Sequence, residues 1–183
     1  MSVKGTFSHK KKCNYFSNKN PSNLYTRNYK IHQTSLKAIY FCTLKKTLEN
    51  AVIKIVDIRN ENYNENMKKC IREIKCIDKL NHDNVIKHHF ASMDVDKIWI
   101  VMEPCIGSIQ DLMKVHKVYF NEKEIIAIVK QTLSGLIYIH NKNRIHRDIK
   151  SSHLLITYNG IVKISNFESS SNQRQSNKFE GSL

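Results

Sequence analysis

The chain has 183 residues, 40% hydrophobic and 25% charged, which is the composition of one globular domain and not of a wholly disordered chain. No apolar run approaches the ~18–20 residues of a membrane-spanning helix, and residues 1–5 lack both the apolar stretch of a signal peptide and the glycine that myristoylation needs after the initiator methionine, where Ser2 stands. The net charge is +14, of which residues 1–48 supply +10, because no acidic residue precedes Glu49.

Residues 1–29 are rich in Asn, Lys and Ser, contain Pro21 and show no apolar periodicity, so they read as a basic disordered arm. Tyr15, Phe16, Tyr25 and Tyr29 lie among its basic residues, and an acidic partner or RNA is the kind of partner such an arm takes. Residues 38–42 and 51–58 read as strands joined by a turn at 48–50. Met67, Cys70, Ile71, Ile74, Ile77 and Leu80 recur at three- and four-residue steps, predicting an amphipathic helix over 65–80. Strands are expected over 85–92 and 97–103, and Pro104 and Gly107 then break the pattern.

A short helix over 109–115 precedes a long one that starts at Asn121, where Glu124 three residues later completes a capping box. Ile125, Val129, Leu133, Leu136 and Ile137 are its expected buried stripe, and its end falls near residue 141. Strands over 154–157 and 161–165 flank Asn159-Gly160, a hairpin turn signal. Sheet first, helices after, is the order of an α+β fold.

Cys13, Cys42, Cys70, Cys76 and Cys105 show no CxxC spacing, and their odd number predicts free thiols in a reducing compartment. The expected location is cytoplasmic, with nuclear as the alternative. A zinc site from His82, His88, His89 and a cysteine is a competing reading, although no pair has zinc-finger spacing.

Arg144-Ile145-His146-Arg147-Asp148-Ile149-Lys150 resembles the catalytic loop of protein kinases, and a lysine two residues past the aspartate is its serine/threonine-type form. Four further segments keep the same register. Ala51-Val52-Ile53-Lys54 resembles the strand whose lysine grips the ATP phosphates, and Glu73 in Arg72-Glu73-Ile74 stands where a helix glutamate pairs with that lysine. Residues 98–112 are similar to the strand and hinge of Hippo/MST-type (sterile-20-like) kinases. Val162-Lys163-Ile164-Ser165-Asn166-Phe167-Glu168 has the register of the D-F-G motif.

The resemblance covers residues 30–168. It implies a protein-kinase-like fold, with a five-stranded N-lobe sheet and one helix over 30–103, then a hinge and a partial helical C-lobe over 104–168. Residues 169–183 are left as a polar tail. By the same resemblance Asp148 is the catalytic base and Lys150 the phosphate or substrate lysine. Lys54, Glu73, Ile39 and Val52 are ATP-binding positions, with Met102 as gatekeeper and Glu103 and Cys105 facing the adenine edge.

Several family positions are replaced. The magnesium-binding aspartate is Asn166, the glycine after it is Glu168, and the catalytic-loop asparagine is His153. Asn166 offers no charge and His153 offers a nitrogen, whereas magnesium prefers charged oxygen. The three glycines of the phosphate loop fall at His32, Thr34 and Lys37, where a Cβ keeps backbone N–H groups from the phosphates. ATP binding is therefore expected to be weak and magnesium binding impaired.

Family members continue beyond the D-F-G position into helices that this chain lacks, so a protein partner covering the incomplete C-lobe is expected. The favoured account is a pseudokinase acting by binding. The alternatives are an inactive truncated fragment, a serine/threonine kinase moving the ATP γ-phosphate with low activity, and a basic RNA-associated protein with kinase ancestry only.

Overall fold

The structure is a computed structural model that describes residues 15–59, 63–94 and 96–172. A one-turn helix, α1 (Pro21–Leu24), is capped by the Asn20 side chain, which accepts from Ser22 N at 3.0 Å, and runs into strand β1 (Tyr25–Gln33). Residues 21–29, read from the sequence as arm, are thus helix and strand. The sequence hides this strand because β1 is the edge of its sheet. All its residues after Tyr25 are exposed, so no buried alternation marks it. Residues 1–14 of the expected arm and 173–183 of the expected tail lie outside the described residues, while 169–172, also read as tail, join the fold, with Ser170 and Ser171 buried and residues 171–172 paired with 144–145.

β2 (Lys37–Leu44) and β3 (Asn50–Asp57) precede helix α2 (Tyr63–Ile77), and β4 (His88–Asp94) and β5 (Lys97–Met102) follow it. The five strands form one antiparallel sheet in the order β1-β2-β3-β5-β4. Register decides which side chains meet. Lys37 pairs with Val56, Ile39 with Lys54, and Val52 with Met102. Cross-strand partners share a face and alternate residues return to it, so Lys37, Ile39, Val52, Lys54 and Met102 all lie on one face.

That face also carries Val56, Ile98 and Ile100, which pack with Cys70, Ile74 and Ile77 of α2 and with Ile164 and Phe167. The opposite face buries Cys42, Ala51, Ile53, Ile55, Trp99 and Val101 in a second cluster.

Beyond the sheet come β6 (Gly107–Ser108), α3 (Ile109–Lys114), α4 (Glu122–Asn141) and β7 (Arg144–Ile145). A 3-10 turn (Ser151–His153), β8 (Leu154–Ile156), β9 (Val162–Ile164) and β10 (Ser171–Asn172) follow. Both helices carry capping boxes: Asn121 with Glu124, as expected, and Ser108 with Asp111, unread in the sequence. β8 and β9 form the expected hairpin, and Gly160 supplies its positive φ of 74°. The β4 side of the sheet is stitched to β9. Ile164 N donates to Asn84 O and Ile86 N to Ile164 O, each at 2.9 Å, and Asn84 Nδ2 donates to Val162 O at 3.0 Å. No helix among the described residues is long and apolar enough to cross a membrane.

The expected stripe of α4 is a correction. Ile125, Val129, Leu133 and Ile137 are exposed, and of the predicted set only Leu136 packs on the core; the buried residues are Thr132, Gly135 and Ile139. The helix is apolar on more than one face, so periodicity alone could not choose between them. Close approach chose the face with the smallest side chain. A Cβ on Gly135 would lie 2.6 Å from Asn84 O and 2.9 Å from Ile164 Cδ1.

Gly135→Ala is therefore expected to lower stability by about 1–3 kcal/mol through overpacking, read as a lower urea midpoint at unchanged slope. Helix propensity alone would favour alanine by about 1 kcal/mol. A stabilised variant would contradict the close approach.

Candidate functional site

α2 buries Cys70, Glu73, Ile74 and Ile77 against the sheet, which aims the Glu73 carboxylate at Lys54 on β3. Lys54 Nζ donates to Glu73 Oε2 at 2.7 Å and to Oε1 at 3.0 Å, with both side chains under a tenth exposed. The expected pair is formed. Burial alone would push the Lys54 ammonium down, but the charges of Glu73 and then Glu168 outweigh it and hold its pKa above the ordinary lysine value.

Glu168 is the unforeseen member. Its Oε1 accepts from Lys54 Nζ at 2.8 Å and from Lys37 Nζ at 2.5 Å, and its main-chain carbonyl accepts from Arg72 Nη1 at 3.3 Å. Burial would raise its pKa. The Lys54 charge, with hydrogen bonds from Lys37 and Lys54, overrides burial and holds the carboxyl down at about 2. In the sequence, Lys37 and Glu168 register as two lost glycines, with Lys37 a candidate source of charge for phosphate but not tied to Glu168. The available signal is the pairing of opposite charges at those two positions.

Ile39, Val52 and Met102 sit half-buried on the Lys54 face, and Cys105 is half-buried in the hinge. Burial, and then the Glu103 charge, pushes the Cys105 thiol up to about 12. The Glu103 side chain anchors the hinge, accepting from Lys87 N at 2.7 Å and from the buried Lys163 Nζ at 2.8 Å. Sequence reasoning foresees neither partner.

The loop after β7 is built around His146, which is 1% exposed. Its Nε2 donates to Ser165 O at 2.9 Å, its Nδ1 accepts from Asp148 N at 3.3 Å, and its ring meets the edge of buried Phe167 at 4.8 Å. Burial pushes its pKa down to about 4. Arg147 holds a left-handed φ of 66° with its Nε bonded to Ser169 O at 2.8 Å.

Asp148 has Lys150 Nζ at 3.3 Å from Oδ2, so the two expected catalytic residues face each other. His153 Nδ1 lies 2.8 Å from Asp148 O, to which it donates. Its Nε2 is then the acceptor for Asn166 Nδ2 at 2.7 Å. Asn166 sits at φ 62°, which asparagine tolerates, and its buried Oδ1 has no hydrogen-bond partner among the described residues.

No grouping of three His, Cys, Asp or Glu side chains suited to a metal ion occurs among the described residues, and the zinc set built on His82, His88 and His89 is not assembled there. His82 instead stacks on Tyr138 at 4.8 Å and accepts from Asn84 N.

Comparison with known proteins adds to this geometry. The protein kinase domain pattern matches residues 25–182. The chain is 36% identical over 166 residues to serine/threonine-protein kinase TAO3 of Xenopus laevis, which covers 91% of this chain and 18% of that protein. It is 37% identical to serine/threonine-protein kinase TAO2 of Xenopus laevis and 35% identical to serine/threonine-protein kinase Tao of Drosophila melanogaster, each over 91% of this chain and 16% of the relative. The chain thus spans less than a fifth of the length of these curated relatives.

The buried imidazole sets a pH dependence. The unfolded chain takes up the proton near pH 6.5, whereas folded His146 resists it until about pH 4. Its contribution to stability is complete above pH 6.5 and is lost as pH falls towards 4, by at most ~1.4 kcal/mol per pH unit. The urea midpoint is expected to fall through this window, and the fall should be smaller in His146→Gln. An equal fall in the variant would rule this group out as the source.

Proposed function

The chain belongs to the protein kinase family, and on that premise we propose that it is an impaired member of serine/threonine type, a pseudokinase that works by binding and holds ATP weakly without magnesium. One observation carries this reading, the hydrogen bond from Asn166 Nδ2 to His153 Nε2 at 2.7 Å. Both family positions for magnesium ligands are spent on each other. The imidazole lone pair is used, and what remains is one neutral amide oxygen, Asn166 Oδ1. Magnesium binds charged oxygens in a strict octahedron, and this donor set does not fit it.

Magnesium in a kinase neutralises charge developing on the transferring phosphoryl group, and electrostatic stabilisation is most of that catalysis. The residues here still support nucleotide contact. Lys54, oriented by Glu73, offers a cation to phosphate, while Ile39, Val52 and Met102 offer an apolar wall on the same face. Glu103 and Cys105 offer the adenine edge. Asp148 remains to orient a hydroxyl, a role worth ~10²–10⁴-fold in rate. The intact Lys54–Glu73 pair together with Asp148 favours the second reading, a kinase of low activity. An inactive fragment is the third.

In the binding reading, the exposed apolar face of α4 (Ile125, Ile126, Val129, Leu133, Ile137) is where a protein partner would sit, and the basic N-terminal residues would meet an acidic one or RNA. A cytoplasmic setting suits the free Cys42, Cys70, Cys76 and Cys105 thiols.

Thermal-shift titration with ATP, with and without magnesium, tests the proposal. A small shift that magnesium leaves unchanged is expected. Restoring both ligands with Asn166→Asp and His153→Asn should make the shift magnesium-dependent yet give only trace transfer to a basic protein substrate. A large magnesium-dependent shift in the unaltered chain, with transfer abolished by Asp148→Ala, would establish the low-activity kinase instead.

A further inference from the structure

Two ammonium groups converge on a single atom in this fold. Glu168 Oε1 lies 2.5 Å from Lys37 Nζ and 2.8 Å from Lys54 Nζ. Lys37 opens β2 on the same sheet face as Lys54, so the convergence is built by strand register and not by a flexible loop. We propose that Lys37 and Lys54 together form a site for a phosphate oxygen of a nucleotide's polyphosphate tail, and that Glu168 fills this site as an internal stand-in until a nucleotide displaces it. The proposal rests on the nucleotide-binding reading above and adds to it a new phosphate ligand, Lys37, and a built-in competitor.

The chemistry of the two anions matches. A carboxylate oxygen and a phosphate oxygen carry like charge and accept the same charge-assisted bonds from ammonium groups. The local charges balance as well, with Lys37 and Lys54 set against Glu73 and Glu168. Glu73 gives both its oxygens to Lys54 and is nearly closed to solvent, at 4% side-chain exposure. Glu168, at 19%, lies on the open side next to Lys37 at 36%. Glu168 is thus the exchangeable anion and Glu73 the fixed one.

The main chain does not need to move for the exchange. Phe167 is fully buried and the Glu168 carbonyl is bonded to Arg72, so the main chain is anchored and the exchange falls to the Glu168 side chain. Two ammonium groups lie within 2.8 Å of its Oε1, so the carboxylate competes as an anion. Lys37 also stands at the third position of the lost glycine loop. There a long cationic side chain reaches the place where backbone N–H groups would otherwise approach, and it supplies charge that no metal supplies.

An internal competitor lowers apparent affinity by the fraction of chains in which the site is open. Calorimetric titration of the full chain without magnesium, using inorganic tripolyphosphate, ATP and adenosine, reads this directly. Glu168→Gln is expected to tighten tripolyphosphate and ATP by about tenfold or more and to leave adenosine unchanged. Adding Lys37→Met to that variant should remove the gain.

If adenosine and ATP bind but folded Glu168→Gln gains nothing for tripolyphosphate, the site is overturned and the nucleotide reading stands. If adenosine fails to bind at all while Glu168→Gln still gains for tripolyphosphate, the anion site stands and the nucleotide reading falls. Should Glu168→Gln not fold, Glu168→Asp keeps the charge on a shorter stem, which cannot reach both ammonium groups. It is expected to show a smaller gain, and no gain in that variant overturns the site.

Discussion

The buried ammonium of Lys54 sets the terms on which its surroundings pack. Removing such a charge from water costs several kcal/mol, and the cost is offset only where opposing charge and hydrogen bonds meet it in good geometry. Three separate parts of the chain meet here: β3 brings the lysine, α2 brings Glu73, and the segment after β9 brings Glu168. The same constraint explains why α2 keeps a glutamate in the middle of its apolar face, between Cys70 and Ile74.

The second polar centre follows the same rule with neutral groups. His146 is almost entirely enclosed, and burial keeps it uncharged; Ser165 O accepts its one proton and Asp148 N donates to its other nitrogen. His153 is fixed similarly between Asp148 O and the Asn166 amide. These bonds tie the Asp148 loop to the Asn166–Glu168 segment, and Phe167 locks that segment into the apolar core. The two centres are mechanically one unit. Glu168 reaches Lys54 only because Phe167 is anchored one residue earlier. The substitutions at Asn166, His153, Glu168 and Lys37 therefore form two bonded pairs and not four independent losses.

Much of this was legible in the sequence. Strands β2, β3 and β5, the period of α2, the Asn121–Glu124 cap and the Asn159-Gly160 hairpin each follow from local rules involving a few neighbouring residues. The register of Lys54, Glu73, Asp148 and Asn166 was readable because their spacing resembles a known pattern. Sequence alone thus determined the longer helices and the strands with a buried side, the family likeness, the positions of Lys54, Glu73, Asp148 and Lys150, and the chemical types that replace the metal ligands.

Tertiary structure alone decided the rest. An edge strand has no buried side to announce it, so β1 was invisible. A helix apolar on several faces leaves its docking face to the closest backbone approach, which Gly135 permits and the predicted Ile and Val stripe does not. Above all, Lys37 and Glu168 are 131 residues apart, and no local rule joins them. Their contact exists because strand register places Lys37 on the Lys54 face while the anchoring of Phe167 delivers Glu168 to the same point. A charge pair across that separation is set by how the elements pack, and neither residue read on its own points to the other.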